Sequence, residues 1–187
     1  KGKLYLEGSP LCDAEFIEIK EMTAREEDIL TSRVLLKKGI AIDKVLENCI
    51  VDKRINQNDL LVGDRNTILL ALRITGYGAE YNVKVTCPIC GENQDFVFHL
   101  DQIKMKMFDA STVELHKNLF EFILPKSNDV VRFKLLTAGE EADISRTQEN
   151  YRKLVRSDVD NLVTSRMSRQ IISVNSNSNR DFVVNYV

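Results

Sequence analysis

Residues 80–100 read EYNVKVTCPICGENQDFVFHL, and this stretch decides the fold. Ahead of it the apolar spacing is helical; from Glu80 it changes to a period of two. The runs EYNVKVTC (80–87) and QDFVFHL (94–100) predict an antiparallel pair, with Cys87-Pro88-Ile89-Cys90-Gly91 as the tip between them. A Cys-x-x-Cys turn of this kind points both sulfurs inward, where successive amides can donate to them. Pro88 stiffens the turn, and Gly91 permits a positive φ after the second Cys.

Zinc ribbons use the same turn, so Cys87 and Cys90 are candidate metal ligands. A structural zinc takes four ligands, and this chain has no second Cys-x-x-Cys. The other sulfurs and imidazoles are Cys12, Cys49, His99 and His116, none with a partner at usual ligand spacing. The second ligand pair is therefore unidentified. The expectation is a zinc-ribbon-like turn that stands without metal, in a protein without a cofactor. Zinc held within one chain, or shared between chains, is the alternative. A thioredoxin-type redox pair is not expected, because Cys87 follows a strand instead of opening a helix whose dipole would lower its pKa.

Working toward the N-terminus, RNTILLALRITGYG (65–78) reads as a strongly apolar helix opened by Asp64 and closed by Gly76 and Gly78. A shorter helix is expected over about 42–50. Before it, Thr23-Ala24-Arg25-Glu26 is a capping box that opens a helix running to Lys37, Lys38 and Gly39. The opening residues predict two short strands around a Gly8-Ser9-Pro10 turn, with Phe16, Ile17 and Ile19 in a half-buried strand pattern. Toward the C-terminus, a polar, methionine-containing link runs to about Thr112. LFEFILP (119–125) and VVRFKLLT (130–137) then predict a second hairpin. A long polar helix follows over 138–157, with a thin stripe of Ile144, Tyr151, Leu154 and Val155, and a further helix over about 159–171. The tail SVNSNSNRDFVVNYV reads as a polar loop entering a new element that Val187 cuts short.

The fold class expected is α+β: a helical N-terminal half, central β-hairpins and a helical C-terminal arm. The division expected is 1–79, 80–136 and 137–187, packed as one unit.

Composition narrows the function. The chain has 187 residues, net charge −2, and 29% charged residues with no long run of one sign. A nucleic-acid binder usually shows a basic face, so none is expected here; a zinc-ribbon nucleic-acid module is the outlying alternative. No apolar run approaches the roughly 20 residues that cross a bilayer, and no membrane partner is expected. Cysteine usage fits a reducing compartment. His99 and His116 read as surface residues. The pairs Glu26/Glu27, Glu140/Glu141 and Asp158/Asp160 suit helix starts. No catalytic or phosphate-binding motif is present, so neither an enzyme nor a small-molecule binder is expected. What remains is an interaction protein. Phe120, Phe122, Arg132 and Phe133 on the second hairpin, with Tyr151 and Leu154 on the long helix, are the candidate partner-binding residues.

Four segments together carry a resemblance: EIKEMTAREEDILTSRVLLKKG (18–39), LENCIVDK (46–53), LLVGDRNTILLALRITGYGAEYNVKVTCPICG (60–91) and FVFHLDQI (96–103). Their order and spacing resemble the T4-like phage baseplate proteins, described as baseplate hub subunits or hub assembly proteins. The tail IISVNSNSNRDFVVNYV is similar to the family's C-terminal part. The strand-then-M-T-x-x-E-E arrangement is also similar to tail-assembly chaperones. The resemblance implies a non-catalytic role in forming the hub of a contractile tail, beside hub proteins and the tape-measure protein. It implies location in the host cytoplasm during assembly, or in the virion baseplate. A chaperone for the hub or tape measure, absent from the finished virion, is the nearest rival.

Overall fold

A computed structural model describes residues 2–104, 114–155 and 161–187, with the side chains of 153–155 left aside. The expected link up to Thr112 lies largely outside these residues. So do the Asp158/Asp160 pair, the last residues expected of the long helix, and the side chains of Leu154 and Val155. The described residues form seven helices and two small antiparallel sheets, a mixed α+β architecture with helices toward both ends. Contacts divide the chain into two units.

One unit comprises residues 18–52 and 66–108. Its first helix, α1 (Ala24–Thr31), opens with the expected capping box. The Glu26 carboxylate accepts from the Thr23 amide at 2.9 Å and from the Thr23 hydroxyl at 2.6 Å. The helix then stops instead of running on to Lys38. Ser32 adopts an extended conformation and caps α2 (Arg33–Lys37), accepting from the Leu35 amide at 3.5 Å. Gly39, at φ 70°, ends α2 as anticipated. In α3 (Ala41–Cys49), Ala41, Val45, Leu46 and Cys49 are all buried. Asn48 of α3 donates to Glu26 at 3.1 Å, so the cap of α1 is fastened to its neighbour.

Helix α4 (Val62–Tyr77) begins two residues before Asp64 and is less enclosed than its composition implies. Ile68 and Leu72 are buried, one turn apart, while Leu69, Leu70 and Ile74 are half-buried. It continues through Gly76, whose missing Cβ leaves room for the Met22 methyl, and ends at Gly78 with φ 82°. Arg73 fixes the exit. It donates to the carbonyls of Gly78 and Glu80, at 2.8 and 3.2 Å, and lies over the Tyr77 and Tyr81 rings. The hairpin follows as read: β1 (Glu80–Thr86) pairs with β2 (Asn93–His99) over seven residue pairs.

The other unit comprises residues 1–17, 53–65 and 109–187. Among the described residues, the two strands expected near its start do not form. Residues 2–14 form a closed loop, in which the Gly2 amide donates to the Ala14 carbonyl and the Asp13 amide returns to Gly2. Gly2 is required there, because a Cβ would lie 1.9 Å from the Leu11 oxygen. Ile19, read with the first strands, forms one bridge to Ile50 in the unit described above. Within the loop, Leu11 is buried and Tyr5 is anchored by its hydroxyl, which donates to Asp64 at 2.6 Å and accepts from the Leu61 amide at 3.0 Å.

The second hairpin also forms, as β3 (Phe120–Ile123) and β4 (Val130–Phe133). A third strand, β5 (Ile171–Val174), adds to β4 where a helix end and a loop were expected. The sheet order is β3-β4-β5. Around it lie α5 (Ala138–Val155), α6 (Leu162–Gln170) and α7 (Arg180–Tyr186). Helix α5 opens with a second capping box: Glu140 donates its amide to the Thr137 hydroxyl and accepts from the Thr137 amide. The element anticipated in the tail is α7, capped by the Asn179 side chain.

Candidate functional site

Alternation assigns the hairpin β1–β2 two unlike faces. Directly paired residues share a face. Tyr81 with Phe98, Val83 with Phe96, and Val85 with Gln94 make one; Asn82, Lys84, Thr86, Asn93, Asp95 and Val97 make the other. The first is apolar, yet it is open to solvent: Phe96 is 52% exposed and Phe98 48%, with their rings 4.6 Å apart. At the tip, Ile89 is 94% exposed. A ribbon with a sequestered apolar face would show the reverse.

The tip itself is a tight turn closed by backbone hydrogen bonds. Gly91, at φ 73°, donates its amide to the Cys87 carbonyl, and the Cys87 amide donates to Glu92. Hydrogen bonds from the Cys90 and Ile89 amides, and from the Cys90 thiol, hold the Cys87 thiol below its ordinary pKa. Cys49 and His99, the candidate ligands in the same unit, do not gather there. Cys49 is fully buried in α3. His99 ends β2, roughly 20 Å from the knuckle at strand rise. Cys87, partly exposed, and Cys90, exposed, stand at the tip as free thiols.

Cys12 and His116, which sequence spacing left unpartnered, are brought together by the fold. The Cys12 sulfur lies 3.3 Å from His116 Nδ1, and Asp13 Oδ2 lies 3.6 Å from His116 Nε2 and 3.9 Å from the sulfur. The separation of 104 residues hid this set from any spacing argument. The one local sign was chemical: Cys12 and Asp13 are adjacent in a turn-rich stretch. Partial burial, then the charge of Asp13, pushes the Cys12 thiol up. That is opposite to the activation a cysteine nucleophile needs.

The candidate partner residues divide by accessibility. Phe120 and Phe133 are half-buried and stack across the strands at 5.3 Å. Arg132 pairs with Glu121 at 2.9 Å. Phe122, 53% exposed, and Tyr151, 41% exposed, offer open apolar surface. On α5 the inward stripe is Ile144 and Gln148. A groove of about 520 Å³ between α5, α6 and α7 is lined largely by hydroxyl, amide and charged side chains, including Asp143, Arg169 and Arg180.

A family model described as T4 bacteriophage base plate protein matches residues 12–165. The chain belongs to this family. No curated protein and no solved structure matches it. Both hairpins and the knuckle lie inside the matched span, so the exposed apolar ribbon is a feature of a T4-type baseplate protein. A baseplate protein works in contact with other phage structural proteins, and open apolar faces suit that setting. Among the described residues, no helix is long and apolar enough to cross a membrane.

Proposed function

We propose that this baseplate-family protein is a non-catalytic component or assembly factor of the tail hub, holding hub proteins or the tape-measure protein. The observation that carries the reading is the open apolar face of β1–β2, where Tyr81, Val85, Phe96 and Phe98 stand exposed together. Interface cores favour aromatic side chains and exclude charge, and this face matches both requirements. Phe122 at the β3 edge, with Phe120, Arg132 and Phe133 beside it on the hairpin, and Tyr151 on α5 supply further contact surface.

Quantitative mass spectrometry of purified virions beside infected-cell lysate tests the role. A fixed, small copy number in virions identifies a hub subunit. Abundance in lysate with absence from virions identifies an assembly chaperone. The docking face is tested by Phe96→Ser with Phe98→Ser in co-purification with hub proteins. A loss of at least about tenfold is expected if the pair sits at the interface centre, where truncating a single anchor costs about 2 kcal/mol or more. Unchanged recovery overturns the assignment of this face.

A further inference from the structure

We infer that Cys12, Asp13 and His116 form a binding site for a zinc-class divalent transition metal, with a fourth coordination position open to solvent. The three side chains are the one set among the described residues in which three metal-capable groups bring their donor atoms within 4.8 Å of one another. Their spacing approaches what the ion needs. Zinc bonds of about 2.0–2.3 Å in tetrahedral geometry place donor atoms roughly 3.3–3.8 Å apart. The sulfur lies 3.3 Å from His116 Nδ1 and 3.9 Å from Asp13 Oδ2, and that oxygen lies 3.6 Å from the other ring nitrogen, Nε2. With a single nitrogen as donor, the three atoms lie within 4.8 Å of one another, so a small turn of the side chains closes the set on one ion.

The donor types select the metal. One sulfur, one imidazole nitrogen and one carboxylate oxygen suit zinc and its neighbours, whereas magnesium and calcium take oxygen sets. Asp13 is already oriented: Lys3 binds Oδ1 at 2.5 Å and leaves Oδ2 facing both Cys12 and His116. Such outer contacts aim ligands at a metal. The backbone fixes the rest. Asp13 and His116 both hold left-handed conformations, at φ 56° and 62°. The His116 amide donates to the Lys3 carbonyl at 2.7 Å, which seats the imidazole turn on the Gly2–Ala14 loop. Binding exchanges the Cys12 S–H bond for a metal–sulfur bond, and the proton leaves to solvent.

The test uses a Cys87→Ser, Cys90→Ser parent, so that the knuckle contributes no thiolate. Cobalt(II) replaces zinc as the probe, because a thiolate ligand gives it an intense ultraviolet charge-transfer band. The parent should take up one equivalent and show the band. Adding Cys12→Ser should abolish the band. Adding His116→Asn, which keeps a residue tolerant of the left-handed backbone, should weaken binding at least about tenfold. A parent without the band at excess cobalt overturns the site, as does a band that survives Cys12→Ser. Should either variant misfold, thiol alkylation of the unmodified chain decides. Zinc should slow labelling of Cys12, located by peptide mapping, at least about tenfold; an unchanged rate overturns the proposal.

Discussion

At the scale of single residues, Glu26 shows how a local sequence rule becomes a tertiary fastening. It is buried and ionised, and its carboxylate is satisfied by the Thr23 amide and hydroxyl and by Asn48. Those bonds, the Thr23 hydroxyl first, lower its pKa from 4.5 to about 2. A depressed carboxylate contributes stability that is complete above its unfolded pKa. That contribution should persist down to about pH 4.5 and fall away as the pH drops toward 2. Acid denaturation of Glu26→Gln should lack this part of the slope, while Glu26→Ala should lose about 1–2 kcal/mol at neutral pH through the lost cap. Gly2 sets a second residue-scale demand. A methyl there meets the backbone of Leu11 and Ala14, which cannot yield as a side-chain tip would. Gly2→Ala should cost about 1–3 kcal/mol in a denaturant melt. It should also disturb the seat of Cys12 and Asp13.

At the scale of elements, the two hairpins behave differently toward substitution. Hairpin β1–β2 is held by a seven-pair ladder and by Arg73 at its base. Cys87→Ser with Cys90→Ser should therefore move stability by no more than about 0.5 kcal/mol, as a surface change does. A cooperative loss of the hairpin, or one zinc per chain at the knuckle in native mass spectrometry, would show a metal-dependent element instead. On α5, Arg146→Glu with Glu149→Lys reverses exposed charges. Binding to a hub partner should weaken while the melting temperature holds; undiminished binding would remove α5 from the interface. Both hairpins and the ends of most helices were legible in the sequence, because period, capping boxes and glycine stops are local signals. The elements misread depend on distant partners. Residues 4–14 read as short strands around a Gly8-Ser9-Pro10 turn, but Tyr5 and Leu11 are buried and the Tyr5 hydroxyl is tied to the Leu61 amide. The run Ile171–Val174 is short enough to pass for the end of α6, and it becomes β5 because β4 offers a free edge. The Cys12–His116 contact lies beyond any spacing rule, since the fold alone closes a sequence separation of 104 residues.

At the scale of the molecule, charge argues about partners more than about shape. Twenty-six basic and 28 acidic side chains leave a net charge of −2. Phosphate binding draws on clustered cations and shows as a steep salt dependence. At physiological salt, DNA binding in a fluorescence titration should be negligible; a strong affinity that falls steeply with added salt would restore the nucleic-acid reading. The β1–β2 ribbon has a further consequence, for how the chain fares before it meets its partner. A two-stranded sheet has two outer edges, and here the apolar face between them is also bare. Such edges invite pairing with another copy. The free protein should therefore tolerate only low concentration, scattering light as it is concentrated, and co-production with its docking partner should raise that ceiling. Solubility then becomes a meter of assembly: each partner that covers the ribbon removes a nucleus for precipitation.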